Sequence, residues 1–184
     1  MPTKSGKRAA PKRSRTAVGT ETATGTGRRT GIRSRRTTPS AASIRRWLSR
    51  LLQEARAEGT RVSVVLCGDA RMRRLNRTWR GDDRPTDVLA FSPLPDPPRP
   101  PRRLAPGDAL GEIVVDLPYA ARQAGKRGHG VPREVKILLA HGLLHLLGYD
   151  HEKDEGQMFR LQARWVRRAF GPGPDGIPGR EAGP

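Results

Sequence analysis

The sequence predicts an α+β fold: a single small mixed β-sheet packed with helices. Three observations carry that expectation. Short β-branched runs and helical apolar repeats are mixed without regular alternation, which favours helices packed against a small sheet. The chain has 184 residues, room for one core plus tails, because single cores organise about 100 to 150 residues. No apolar run approaches the roughly 20 residues of a membrane span, so all of its elements belong to a water-surrounded core.

From Ser40 onward Ile44, Trp47, Leu48, Leu51, Leu52 and Ala55 recur at helical spacing, and Gly59 stands where such a helix would stop. Arg61 to Cys67 (RVSVVLC) is short and rich in β-branched residues, so it reads as a strand, after which Asp69 is placed to cap a short helix carrying Met72 and Leu75. Thr86 to Phe91 (TDVLAF) is a second strand. Between Pro93 and Pro106 seven of fourteen residues are proline, which forbids helix interior and sheet ladder alike and makes residues 93–106 a surface loop. LGEIVVDL, residues 110–117, is a third strand, and Pro118 to Gly125 begins a helix. Pro132 suits the first turn of another helix, with Val135, Leu138, Leu139, Leu143 and Leu146 along one face. A last amphipathic helix runs from Asp154 to Phe170 through Met158, Leu161, Trp165 and Ala169, and residues 171–184 read as a flexible C-terminal tail.

Charge is the second strong signal. A formal net charge of +18 and a pI near 11.6 exceed what solubility requires and favour a polyanionic partner, nucleic acid before a membrane surface. Residues 1–39 carry eleven Lys or Arg against one acid, Glu21, and so hold +10 of that charge, with no aromatic residue. Such a segment buries too little apolar surface to offset the entropy of ordering, so residues 1–39 are expected to be a disordered basic tail. It lacks the apolar centre of a secretory signal, and its glycines argue against the amphipathic helix of an organelle transit peptide. A nucleic-acid-binding tail and a merely solvated extension both stand at this point. The single cysteine, Cys67, excludes an internal disulfide, and the expectation is a soluble protein of a reducing, cytoplasmic compartment.

Three of the four histidines, His141, His145 and His151, fall within the eleven residues HGLLHLLGYDH, on the buried helix and the turn following it. His141 and His145 are four apart, hence on one helix face with Cβ atoms about 5 to 6 Å apart. Zinc accepts imidazole nitrogen at about 2.0 to 2.1 Å in tetrahedral geometry, so a third ligand must arrive from beyond the helix. Gly148 supplies the exit, because glycine takes the left-handed conformation that ends a helix and turns the chain, bringing His151 back toward the pair. Three neutral ligands leave a fourth position open to water, the mark of a catalytic rather than a structural zinc site. A structural ion needs a fourth ligand, for which Cys67, Asp150 and His129 are the candidates; packed core histidines are the plainest alternative. The same spacing occurs in metzincin proteases, which carry a glutamate directly after the first histidine as general base. Here that position is Gly142, leaving Glu112 or Glu152 to substitute from elsewhere.

As a whole, HGLLHLLGYDH resembles the signature of the YbeY family, bacterial zinc-dependent endoribonucleases that act as ribosomal RNA maturation factors. That pattern is His-Gly, any residue, Leu-His-Leu, any residue, Gly-Tyr-Asp-His, and every fixed position matches. LNRTWRGDDRPTDVLAF, residues 75–91, and LGEIVVD, residues 110–116, are similar to two further family segments, with Glu112 where the family usually has aspartate and Ala90 where it usually has serine. The resemblance spans roughly residues 40–170 and implies a metallo-endoribonuclease domain between the two tails. It implies one zinc ion per chain on His141, His145 and His151, with Arg80 and His141 as the catalytic residues. The implied activity is single-strand-specific RNA cleavage in maturation of the small-subunit ribosomal RNA 3′ end and in ribosome quality control. Ribosomal RNA and the ribosome's small subunit are the implied partners.

Residue chemistry suits these roles. A guanidinium such as that of Arg80 holds a phosphate in two-point geometry and stabilises the extra charge of a phosphoryl transition state. Asn76 and Thr86 suit fixing the neighbouring turn, and Asp150 suits either orienting a ligand histidine or closing a turn. Cys67 reads as a small buried apolar residue and His129, among glycines, as an ordinary loop residue. Two other functions are carried forward: a non-catalytic, zinc-stabilised ribosome assembly factor, and a metzincin-like metalloprotease.

Overall fold

In the computed structural model, which describes residues 18–20, 38–93 and 104–172, the element order is β1 (Val18–Thr20), α1 (Ala41–Glu54), β2 (Arg61–Cys67), α2 (Asp69–Arg80), β3 (Val88–Phe91), β4 (Ala109–Asp116), α3 (Leu117–Lys126), α4 (Val131–Leu146) and α5 (Gln157–Phe170). The rest of the expected basic tail, the centre of the Pro-rich loop and residues 173–184 lie outside the described residues.

The strands form a mixed sheet in the order β1-β2-β4-β3, with β1, β2 and β4 parallel and β3 antiparallel to β4. This is the α+β architecture the sequence predicts. Alternation along β2 divides the core between the two faces of the sheet. Val62, Val64 and Leu66 join the cluster built with α1, α3, α4 and α5, while Cys67 and Val65 join Met72, Leu89 and Val114 beneath α2. The inner strand β4 is covered on both faces, which is why Ile113, Val114 and Val115 are buried in succession rather than alternately.

Several boundaries differ from the sequence expectation, each for a local physical reason. Strand β1 lies inside the segment expected to be an unstructured tail; its three residues pair Val18 with Val64 and Thr20 with Leu66, a partnership no short-range pattern announces. Asp69 does not cap α2. Gly68 occupies that position, and the Asp69 carboxylate instead accepts a two-point pair from Arg122 at 2.7 and 3.0 Å. Strand β3 starts at Val88 rather than Thr86, because the Asp87 side chain turns back to accept the Val88 N–H at 2.8 Å. Helix α5 starts at Gln157, after Gly156 in the left-handed conformation, with Asp154 accepting the Met158 N–H at 3.0 Å.

Helix α4 is buried on nearly all sides, lying between the sheet and its neighbouring helices. The contact with β4 is closest at Gly142, where an added Cβ would stand 2.8 Å from Ile113 Cγ2 and 3.2 Å from its Cγ1. Glycine at this position sets the distance between α4 and the sheet.

This packing makes two properties measurable. Gly142→Ala forces methyl groups together and is expected to destabilise the fold by about 1 to 3 kcal/mol, read as a lowered denaturant midpoint at unchanged slope; an unchanged midpoint would contradict the close approach. The second concerns Asp116, fully buried at the start of α3, where it accepts the Tyr119 N–H at 3.1 Å. Burial, aided by the nearby Asp69, pushes its carboxyl from 3.8 up to about 7 despite the opposing Tyr119 bond. A carboxyl that binds its proton more tightly when folded contributes stability at low pH that is lost as pH rises from 3.8 through about 7. Asp116→Asn keeps the capping oxygen and is expected to flatten that decline in denaturation midpoints measured across the interval.

Candidate metal centre

His141 and His145 occupy successive turns near the end of α4, so the helix itself places both rings on one side. The helix ends at Leu146; Gly148, with φ of 86°, takes the left-handed conformation, donating its N–H to the His145 carbonyl at 2.9 Å while Tyr149 N–H reaches Leu144 at 3.0 Å. The chain reverses there and returns His151 to the pair. One ring nitrogen from each of the three histidines lies within 4.8 Å of the others, and His141 Nε2 stands 3.1 Å from His145 Nε2. Among the described residues no aspartate, glutamate or cysteine joins this group.

The surroundings hold the rings, and they keep His141 and His145 neutral. His141 Nδ1 lies 2.9 Å from Gln162 Oε1 on α5, so Nδ1 carries the proton, donates it to the amide oxygen and leaves Nε2 with a free lone pair. Phe159, also on α5, packs its ring 5.1 Å from that of His151 and 6.2 Å from that of His141. Burial lowers the pKa of His141, and burial together with the two neighbouring rings pushes His145 down to about 4. The charge of Arg80 lowers both further, whereas Asp87 partly opposes it at His141. Three imidazole nitrogens within 4.8 Å of one another form a donor set that fits a zinc ion or another imidazole-preferring cation.

Arg80 ends α2 beside this group, solvent-exposed and without an ion pair or side-chain hydrogen bond among the described residues. It lines a cavity of about 640 Å³ with Asn76, Asp82, Arg84, Pro85, Thr86 and Tyr119. Asn76 fixes that loop as expected, donating to the Arg84 carbonyl at 2.9 Å, while the Thr86 hydroxyl reaches the Asp87 carboxylate at 3.3 Å rather than the backbone.

The structure does not bring the other candidates to the histidines. Cys67 is buried beneath α2, on the face of the sheet opposite α4. Asp150 closes the turn, accepting the Glu152 N–H at 3.1 Å and pairing with Lys153 at 2.9 Å. His129 is no ordinary loop residue: its Nε2 lies 3.1 Å from Glu134 Oε2, and Glu134 is fully buried and also paired with Arg127 at 2.6 Å. Gly142 faces Ile113 in the core, so a glutamate there would meet the sheet and not the ion; neither Glu112 nor Glu152 replaces it in the group. Gln162 is the residue sequence reasoning missed. It lies among the apolar positions of α5, where no spacing marks a polar side chain as a partner of a histidine 21 residues earlier.

Because Gln162 fixes the tautomer of His141, Gln162→Leu is expected to weaken zinc binding by about 10- to 100-fold with the fold retained. Competition with a chromogenic chelator measures this, and parental affinity in the variant would remove Gln162 from the role.

Comparison with known proteins places the chain among relatives. The family model described as "Endoribonuclease YbeY" matches residues 32–169. The chain is 47% identical over 116 residues to the endoribonuclease YbeY of Moorella thermoacetica, covering 59% of this chain and 74% of that one. It is 39% identical over 122 residues to the endoribonuclease YbeY of Persephonella marina, covering 65% and 76%. Its identity to that of Thermus thermophilus is 45% over 114 residues, covering 61% and 77%. Among solved structures, the solution structure of a Thermotoga maritima protein is similar with a TM-score of 0.52 at 28% identity, over 73% of this chain and 86% of that one.

Proposed function

The chain belongs to the YbeY family of endoribonucleases, and from that premise we propose that it cleaves single-stranded ribosomal RNA at a zinc ion held by His141, His145 and His151, with Arg80 gripping the scissile phosphate. It is a metal-dependent endoribonuclease of ribosomal RNA processing. The observation that carries the site assignment is the convergence of three imidazole nitrogens within 4.8 Å, beside an arginine that has no ion-pair partner among the described residues.

His141, His145 and His151 would hold the zinc ion, which would supply Lewis-acid chemistry at the phosphate. The chain's own residues do the rest. Gln162 keeps the His141 proton on Nδ1, and burial keeps His141 and His145 unprotonated at neutral pH. The Arg80 guanidinium offers two parallel N–H donors to the non-bridging oxygens, holding the phosphate in place as its charge grows. On this reading residues 40–170 are the catalytic domain, and the chain's net charge of +18, of which residues 1–39 hold +10, draws the protein to RNA and to the ribosome's small subunit. The substrate is the 3′ end of the small-subunit ribosomal RNA, with ribosome quality control as a second task in the cytoplasm. No described helix is long and apolar enough to cross a membrane.

An assembly factor with a merely structural ion explains the charge equally well, but leaves a three-donor group that no fourth ligand closes among the described residues. The decisive assay is cleavage of an end-labelled single-stranded fragment of small-subunit ribosomal RNA by zinc-loaded protein, beside Arg80→Ala and His145→Ala purified identically. The parent is expected to cut, His145→Ala to be inactive with its fold retained, and Arg80→Ala to be slowed by about 100- to 1,000-fold. Equal cutting by all three, or none by any, favours the assembly factor.

The tail is tested separately. If it neutralises phosphates, deleting residues 1–16, which spares β1, flattens the logarithmic salt dependence of single-strand binding by about 0.7 for each phosphate that it neutralised. An unchanged slope removes residues 1–16 from RNA binding.

A further inference from the structure

We propose that Trp79 is a stacking platform for a nucleobase of the RNA substrate, next to the phosphate held by Arg80; this rests on the endoribonuclease reading of the neighbouring site. Trp79 is 66% exposed, the one large apolar side chain so exposed among the described residues. The other two tryptophans behave ordinarily: Trp165 is buried, and half-buried Trp47 packs against the core and Lys136. An indole left in water forfeits the burial that makes this side chain valuable to a fold, so its position calls for a role other than core packing.

The helix explains how the ring comes to be there. Met72 and Leu75 on α2 pack into the core beneath that helix, and Trp79, four residues beyond Leu75, continues the same face past the end of the core. Its ring contact is with Phe91, at 5.5 Å between centroids and tilted by 58°. Phe91 is the last residue of the edge strand β3, so it braces the indole from the sheet side and leaves most of the ring surface open. A braced and open aromatic ring loses little conformational entropy when a second ring stacks on it.

The charges around it select the occupant. Trp79 directly precedes Arg80, whose charge is felt by both His141 and His145, and consecutive Cα atoms are about 3.8 Å apart. Helix α2 also exposes Arg74, which has no ion pair among the described residues, and Arg77, only loosely paired with Asp83 at 3.6 Å. Exposed cations on the helix that carries an exposed aromatic ring match single-stranded nucleic acid, whose phosphates follow the cations while its bases stack on the ring. An acidic protein surface would pair with the arginines but has no matching use for the indole. Stacking accepts any base, so Trp79 sets affinity and register of the strand without reading its sequence.

The test uses zinc-loaded full-length protein and a single-stranded RNA substrate, together with a series of the same RNA carrying one abasic nucleotide at successive positions. Trp79→Leu is expected to raise KM by roughly 5- to 150-fold with kcat near that of the parent, and Trp79→Phe to restore most of the loss. One abasic position should impose a similar penalty on the parent and add nothing in Trp79→Leu. Matched thermal midpoints verify the fold; should Trp79→Leu unfold, the abasic series on the parent and Trp79→Phe carries the comparison, since a stacked base must show one penalised position near the cut. An unchanged KM in folded Trp79→Leu, no penalised position in the parent, or a penalty that persists undiminished in the variant overturns the platform alone. Failure of the parent to bind or cut the unmodified RNA instead overturns the endoribonuclease reading itself.

Discussion

The site depends on how closely α4 lies against β4. At Gly142 the helix backbone rests on Ile113 with no room for a side chain, and that contact fixes both the depth and the rotation of the helix. His141 is then turned away from the sheet toward α5, where Gln162 and Phe159 meet it, and His145 stands beside it one turn further along the helix. The same glycine occupies the place where a protease of this spacing would carry its general base. One small residue therefore sets the approach of the helix to the sheet and stands where a peptidase would need its carboxylate. Gly148 completes the arrangement, since only a residue at ease in the left-handed region turns the chain sharply enough to return His151.

Around the histidines the electrostatics are divided. Inside, burial suppresses protonation of His141 and His145 and raises the carboxyl of Glu134 to about 7, with Arg127 and His129 gathered on it where α3 passes into α4. Asp87, which accepts from Gln123 at 2.9 Å and places a negative charge near His141, links that junction to the start of β3. Outside, Arg80 and the neighbouring arginines of α2 face solvent. Neutral donors in the interior and exposed cations on the rim suit a site that takes a cation permanently and an anion in passing.

Much of this was legible in the sequence. Strand β2 was readable from its β-branched run, α1 from its apolar repeat, and the histidine group from an i, i+4 pair followed by glycine, because each depends on neighbours within a few residues. What escaped depends on distant partners. Strand β1 is three residues long and has meaning only beside β2. Asp69 has the chemistry of a cap but is drawn to Arg122, 53 residues away, and His129 looks idle until Glu134 folds onto it. Gln162 carries no local mark. Arg80, one of 36 Lys and Arg residues, stands out only through the resemblance of its flanking segment to a family pattern.

The central claim is that three imidazoles from one helix and its following turn hold the ion, with one position left open. Zinc-edge X-ray absorption on protein loaded with one equivalent of zinc measures this most directly. Three nitrogen scatterers with imidazole outer-shell features at about 2.0 to 2.1 Å, one further light atom and no sulfur are expected. A sulfur at about 2.3 Å, which would bring Cys67 across the sheet to the ion, or fewer than three imidazoles, would contradict it.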